Sequence, residues 1–293
     1  MTKIRKRWRR AVLLLLAALV LLAAAVLYWK PRWRYRLLAE IAVYTEPKVY
    51  LTEADNLTLE RYTVAELRED KRVTFDQSLL LVNSDHPLTE DFAADIICYG
   101  DTDVQMNRCV TEAYRLLAAD VLEQLDEHLY FRSAYRTAEE QAQTIAEDGD
   151  VAAPLNASEH QAGLALDVYV PYFAGMGFLD CEAGQYVNNN CWRFGFIIRY
   201  PSYGEEETGI SYEPWHLRYV GAPHAEIIAK NRLTLEEYIA SLEQGVSYQY
   251  GDYLISRQTG ETLLLPEDFS SAVFSEDNLG GYIVTVQLEG GND

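Results

Sequence analysis

Apolar and polar positions alternate along this chain with changing period, and the first pattern met is a run with no period at all. Ala11 to Trp29 is 19 uncharged residues, mostly Leu, Ala and Val, about the length an α-helix needs to cross a bilayer. From Thr111 to Leu129 apolar residues recur at Leu116, Leu117, Val121, Leu122, Leu125 and Leu129, the spacing of an amphipathic helix. Thr137 followed by Glu139 and Glu140 reads as a capped start of a second helix reaching about Glu147, before Gly149. Short β-type runs stand at Leu79–Asn83, Leu164–Val170, Phe196–Tyr200 and Leu217–Val220, the middle two stopped by Pro171 and Pro201. Two more helices are predicted at about 223–230 and 235–243, the second capped by Thr234. After Gly245 the runs 248–256, 262–265 and 282–287 are strand-like, and the terminal residues 290–293 are expected to fray.

Mixed helices and short strands make the fold α+β. The expected organisation is a basic tail at 1–10, a membrane-spanning helix at 11–29, a stalk at 30–78, a main domain at 79–245 and a small β appendage at 246–293. Residues 37–78 show no strong periodicity and contain no glycine.

Charge sharpens that division. Residues 1–36 hold ten Lys or Arg and no acid, which leaves the remaining 257 with 15 basic against 45 acidic side chains, a net −30. A body that acidic repels polyphosphate, so nucleic acid is not an expected partner. Six of the basic residues precede the apolar run and four follow it, which points to a cytoplasmic N-terminus and an external body. Trp8, Tyr28, Trp29 and Trp33 sit where interfacial aromatics would anchor its ends. Ala23-Ala24-Ala25 offers a signal-peptidase site, but the length of the run and the basic residues behind it favour a retained anchor.

The four cysteines suit an exported chain, and the short loops favour Cys98–Cys109 and Cys181–Cys191 as disulfides, with free buried thiols as the alternative. His86, His128 and His224 read as structural, and Glu205-Glu206-Glu207 as a solvated loop.

Chemistry concentrates in two segments. In Ser158-Glu159-His160-Gln161-Ala162-Gly163-Leu164-Ala165-Leu166-Asp167 a His precedes an Asp by seven, with a glycine where the chain turns. In Glu213-Pro214-Trp215-His216 a carboxylate precedes a second His by three. Two imidazoles and a carboxylate make a three-ligand zinc site with a fourth position open for water, which suits a catalytic ion.

These segments, with Phe131-Arg132-Ser133-Ala134-Tyr135-Arg136-Thr137 upstream and Gln141 five after the Arg, resemble the zinc D-Ala-D-Ala carboxypeptidase family whose type member is VanY. The likeness runs from about Leu79 to Leu242 and leaves out the N-terminal segment and the residues after Gly245. It implies a Hedgehog/DD-peptidase-like domain with a small antiparallel sheet and flanking helices. It further implies zinc held by His160, Asp167 and His216, Glu213 as catalytic base and Arg136 polarising the scissile carbonyl. Ser158, Gln141 and Ser133 would help to hold the substrate, and Trp215, otherwise a packing residue, would line the cleft. The implied activity is removal of D-Ala from peptidoglycan stem pentapeptides by an enzyme of the bacterial membrane facing the wall. Two alternatives stay open: an L,D-carboxypeptidase acting on tetrapeptides, and a non-catalytic zinc-stabilised wall-binding module.

Overall fold

The computed structural model describes residues 2–45, 47–55, 57–149 and 152–289; the expected fraying of 290–293 falls outside them. An exposed helix, Thr2–Trp29, opens the chain, and its segment Arg7–Trp29 is long and apolar enough to cross a membrane. After Lys30 a second helix, Pro31–Ala42, begins with proline, whose missing N–H costs nothing in a first turn.

The central unit is a four-stranded antiparallel sheet in the order Tyr130–Ser133, Ala165–Tyr169, His216–Tyr219, Phe196–Ile198. Its strands alternate in the two-residue period of a half-covered sheet: Leu166 and Val168 are buried with Leu217, while Asp167 and Tyr169 stay partly accessible on the opposite face. The helix Arg108–Leu125 packs Val110, Tyr114, Leu117 and Val121 into the same core. It starts three residues before the predicted position and ends four before, because Asp126 takes a left-handed conformation that closes the last turn. The helix Ala138–Asp148 has the expected start, with Thr137 and Glu140 in a reciprocal cap, and ends at Gly149.

One predicted strand is absent. Leu79 to Val82 is buried but joins no ladder. Its backbone is satisfied piecemeal: the Leu79 N–H donates to Ser275 Oγ (2.8 Å), the Leu81 N–H to the Asp277 carbonyl (3.2 Å), and the Ser78 and Leu80 carbonyls accept from Arg218. An apolar run bounded by turns signals burial and leaves open who takes its hydrogen bonds. The turn after it forms as expected, with Asn83 Oδ1 accepting from the Asp85 and His86 N–H groups.

The C-terminal β unit is larger than its own residues. A six-stranded sheet runs Thr52–Glu53, Ser247–Tyr250, Tyr253–Gln258, Tyr282–Gln287, Ser271–Glu276, Val73–Asp76, with only its last pair parallel. Leu59–Thr63 pairs with Thr262–Pro266. The expected single run 248–256 is thus a hairpin that turns at Gly251, and Ser271–Glu276 is a strand without a sequence signal. The strands Thr52–Glu53, Leu59–Thr63 and Val73–Asp76 therefore all pair with C-terminal strands, and Leu67, Leu263, Leu265, Phe269 and Phe274 form the core beside them.

A third cluster joins the two units. Ile227, Ile228, Leu235, Tyr238 and Ile239, from the helices His224–Asn231 and Leu235–Ser241, meet Tyr248, Ile255 and Ile283. Inside it His224 bridges the Tyr238 hydroxyl (2.6 Å) and Thr285 Oγ1 (2.7 Å), so it is structural, as expected. Burial lowers its pKa from 6.5 to about 3, so the native state holds it neutral while the unfolded chain protonates near pH 6.5. The unfolded state binds more protons between those values, so stability is full above pH 6.5 and falls as pH drops toward 3, by roughly 1.4 kcal/mol per pH unit. Denaturant titrations of wild type and His224→Gln should show the wild type's advantage over the variant shrinking with that slope as pH falls from 6.5 to about 4.

Candidate metal centre and its buried support

Asp167 stands directly opposite His216 on the neighbouring strand and opposite Ser133 on the other side. The ladder itself thus brings the carboxylate and one imidazole together, and a register shift between Phe131 and Ser133 re-aims the third strand beside them. His160 arrives from a short 3-10 turn, Glu159–Ala162, that ends at Gly163. Gly163 has φ +68°, and a Cβ there would meet the Asn107 backbone nitrogen at 2.7 Å, so both conformation and space require glycine between His160 and Asp167.

One donor atom from each of His160, Asp167 and His216 lies within 4.8 Å of the other two. Asp167 Oδ2 is 3.5 Å from His160 Nε2, and Asp167 Oδ1 is 3.1 Å from His216 Nδ1. Glu213 Oε2 stands 3.5 Å from the same His216 nitrogen. The Nδ1–H of His160 donates to the Ala134 carbonyl at 2.7 Å; a carbonyl only accepts, so this bond fixes the tautomer and leaves the Nε2 lone pair for an ion.

Electrostatics favour a cation here. Burial opposes ionisation of Asp167, but the imidazoles of His160 and His216 hold its carboxyl well below the usual range. Burial also opposes a charge on His216, yet Asp167, Glu159 and Glu213 together push its pKa up to about 10. Asp167 Oδ1 is buried without a hydrogen-bond partner. An N, N, O donor set with a free carboxylate oxygen is what a divalent metal satisfies. Burial raises the pKa of Glu213, the freest acid of the group.

Beside His160, Arg136 donates to Gln141 Oε1 (2.9 Å) and Ser133 Oγ (3.1 Å), while its backbone N–H donates to the His160 carbonyl (3.0 Å). Gln141 is fully buried and anchored on the Ala153 carbonyl (2.6 Å). Ser158 is buried at the head of the turn that carries His160. Trp215 is half-buried against the core, so packing accounts for most of it. His160, Asp167, His216, Glu213, Ser133, Arg136 and Gln141 are therefore linked contact by contact, while Ser158 and Trp215 neighbour them in sequence.

The expected disulfides do not form: all four cysteines are free. Cys181 and Cys191 flank opposite ends of the helix Glu182–Asn190, which at ~1.5 Å per residue sets them ~15 Å apart, whereas a disulfide needs Cα atoms within ~7 Å. Cys98 pairs with Gln105 in a hairpin, and Cys109 lies four residues beyond that partner, on the order of 10 Å away. The closed loop is short in sequence, but regular structure holds it open.

A set of residues without an expected role lies beneath the ligands. Glu159 is completely buried, accepting from Arg199 Nε (2.6 Å) and Arg218 Nη1 (2.5 Å). Arg199 also holds Glu236 in two bonds of 2.6 and 2.9 Å. The second oxygen of Glu159 and His216 Nε2 are both buried without a hydrogen bond, 3.9 Å apart and facing each other. Burial opposes the Glu159 charge, but the two guanidiniums hold its pKa far below the carboxylate range. The available signal was an arginine inside each of two otherwise apolar strand runs, Phe196–Tyr200 and Leu217–Val220.

Comparison with known proteins agrees with this geometry. The pattern that defines the VanY family of D-alanyl-D-alanine carboxypeptidases matches residues 103–222. A D-alanyl-D-alanine carboxypeptidase of Enterococcus faecium is 31% identical over 278 residues, covering 84% of this chain and 89% of that protein. A bifunctional D-Ala-D-Ala dipeptidase and D-Ala-D-Ala carboxypeptidase of Enterococcus gallinarum, VanXYC, is 36% identical over 58% of this chain and 97% of its own length. The crystal structure of the vancomycin resistance D,D-dipeptidase VanXYg with a D-Ala-D-Ala phosphinate analogue superposes with a TM-score of 0.62 at 26% identity, covering 78% of this chain and 98% of that one.

Removing one member of a buried ion pair typically costs ~3–5 kcal/mol. Glu159→Gln, which keeps the shape and removes the charge between Arg199 and Arg218, should lower unfolding stability by about that amount in urea. A loss below ~1 kcal/mol, the range of surface pairs, would remove Glu159 from its central place.

Proposed function

Because the chain belongs to the VanY family of D-alanyl-D-alanine carboxypeptidases, we propose that it is a zinc hydrolase that removes the terminal D-Ala from peptidoglycan stem pentapeptides. The observation that carries the reading is the convergence of His160, Asp167 and His216 on one point with the His160 tautomer already set. In this reading His160 Nε2, Asp167 and His216 Nδ1 hold the zinc. When bound, the ion supplies Lewis acidity toward a carbonyl and lowers the pKa of water from 15.7 to about 7.

The remaining work falls to the chain's own side chains. Glu213, 3.5 Å from His216 Nδ1, takes the proton of the attacking water at its carboxylate and returns it to the departing amine of D-Ala. Burial raises its pKa, which makes it a better proton acceptor than a solvated carboxylate. Arg136 faces the oxyanion that develops on the scissile carbonyl, and Gln141 and Ser133 hold its guanidinium in place. Ser158 and Trp215 flank the ligands in sequence and form walls for the stem peptide. A base and an oxyanion clamp around the donors favour an enzyme over a wall-binding module.

Residues 79–245 form the catalytic domain, and the helix that includes Arg7–Trp29 is a membrane anchor. The six basic residues before the apolar run Ala11–Trp29 and the four after it favour a cytoplasmic N-terminus, which puts the catalytic domain outside the membrane beside the wall.

Full-length protein incubated with pentapeptide and tetrapeptide muropeptides should release D-Ala from the pentapeptide, as read by mass. A chelator should abolish release and added zinc restore it. Release from the tetrapeptide alone would replace the reading with an L,D-carboxypeptidase, and release from neither would end the hydrolase assignment. Arg136→Ala should slow turnover by roughly a hundredfold to a thousandfold, the worth of one preorganised oxyanion donor at ~2.7–4 kcal/mol. Glu213→Gln should lose turnover yet keep stoichiometric zinc, as measured by metal analysis after dialysis.

A further inference from the structure

The helix Pro31–Ala42 has two sharply different faces. Arg32, Tyr35, Ala39, Ala42 and Val43 are half-buried and fall on one side of a wheel of ~100° per residue. This side is pinned to the body. Arg32 donates twice to Asp180, at 2.6 and 3.3 Å, and the Tyr35 hydroxyl donates to Asn189 Oδ1 at 3.0 Å. The Arg36 guanidinium lies 5.6 Å from the Tyr212 ring centre, and Arg232 donates to the Ala39 carbonyl (3.4 Å) and lies 3.6 Å from Glu40.

On the opposite side Trp33, Leu37, Ile41 and Tyr44 fall within a single arc of ~80°. They are 64%, 47%, 51% and 90% exposed. A contiguous apolar stripe of this kind marks an interaction surface.

We propose that this stripe lies in the headgroup layer of the bilayer, so that Pro31–Ala42 is an interfacial helix clamped between lipid on one face and the catalytic body on the other. The inference rests on the membrane-anchor reading given above. Three observations commit the stripe to lipid. Only Lys30 separates this helix from the helix Thr2–Trp29, and one residue spans at most ~3.6 Å, so the stripe begins where the span leaves the bilayer. Arg34, at the edge of the same arc, and Lys30, at the N-cap of the helix, are exposed, with the sign that attracts anionic phospholipid. Trp33 continues the exposed pair Tyr28 and Trp29, the residue types that settle at headgroup depth.

The clamp leads back to the site. Asn188, beside Asn189, accepts from the Tyr212 hydroxyl (3.0 Å) and donates to the Pro214 carbonyl (2.8 Å), next to Glu213. A helix lying flat on the membrane therefore sets the orientation of the loop that carries Glu213 and leads into the strand of His216 relative to that surface.

The test uses the full chain in vesicles of phosphatidylcholine and phosphatidylglycerol, with the fluorescence of Trp33 isolated as the difference between wild type and Trp33→Phe. That signal should be blue-shifted, lose most of its intensity to phospholipids brominated near the headgroup end of the acyl chain, and resist aqueous acrylamide. Leu37→Trp, which leaves Trp33 in place and adds a reporter to the same arc, should behave alike. Protein released from the vesicles by alkaline carbonate overturns the anchor reading and this inference together. Protein that stays while Trp33 emits as a water-exposed indole, quenched by acrylamide and not by bromolipid, overturns the interfacial helix alone. A blue-shifted signal that bromolipid does not quench also overturns it, placing a protein surface where lipid is proposed.

Discussion

A single buried carboxylate, Glu159, is the constraint on which the arrangement around the central sheet depends. It precedes His160, faces His216 Nε2, and receives Arg199 and Arg218 from two strands. Through Arg218 it reaches the carbonyls of Ser78 and Leu80, and through Arg199 it reaches Glu236 at the start of the helix Leu235–Ser241. Two guanidiniums and two carboxylates balance in charge, which matters because an isolated charge at this depth costs several kcal/mol even after relaxation. Each partner is tolerable only while the others stay, so segments from Ser78 to Glu236 are locked into one arrangement around His160, Asp167 and His216, the group that could hold a metal.

The two imidazoles are held by different chemistry, and the difference bears on the ion. His160 leans on a neutral backbone carbonyl through Nδ1 and offers Nε2. His216 offers Nδ1 and turns Nε2 toward a full negative charge that is already claimed by two arginines. A carboxylate behind an imidazole makes it a more basic ligand than a carbonyl does. The arginines moderate that effect by drawing charge away from Glu159, and they keep the carboxylate ionised with no proton to donate back.

How much of this was legible in sequence depended on how local each signal is. His160 and Asp167 lie within eight residues and Glu213 and His216 within four, so spacing suggested the donor set, while Arg136, Ser133 and Gln141 came only from the family resemblance. The support beneath it was silent because Arg199 and Arg218 find Glu159 across 40 and 59 residues, and a lone arginine in an apolar run does not name its partner. Leu79–Val82 was legible as buried and illegible as backbone, since side chains and irregular bonds do the work of a ladder. The cysteines misled for the opposite reason: proximity in sequence was taken for proximity in space, and a nine-residue helix intervenes.

The same reasoning accounts for the segment that looked featureless. Strands of two to five residues, Thr52–Glu53, Leu59–Thr63 and Val73–Asp76, are too short to show a period, and each pairs with a strand far along the chain, as Thr52 does with Gln249 and Leu59 with Pro266. Such pairings gain nothing until the C-terminal hairpins exist, because the entropy of closing so long a loop precedes any contact. The chain beyond the apolar helix therefore reaches the C-terminal strands first and returns through the buried Leu79–Val82 passage to the central sheet around Glu159. Helix, sheet and site share residues at each junction: Arg232 touches the helix Pro31–Ala42, His224 touches Thr285, and Arg218 touches Leu80. With the three units joined by polar contacts as well as by the Tyr238 cluster, the orientation of the candidate metal donors His160, Asp167 and His216 depends on more than the central sheet alone.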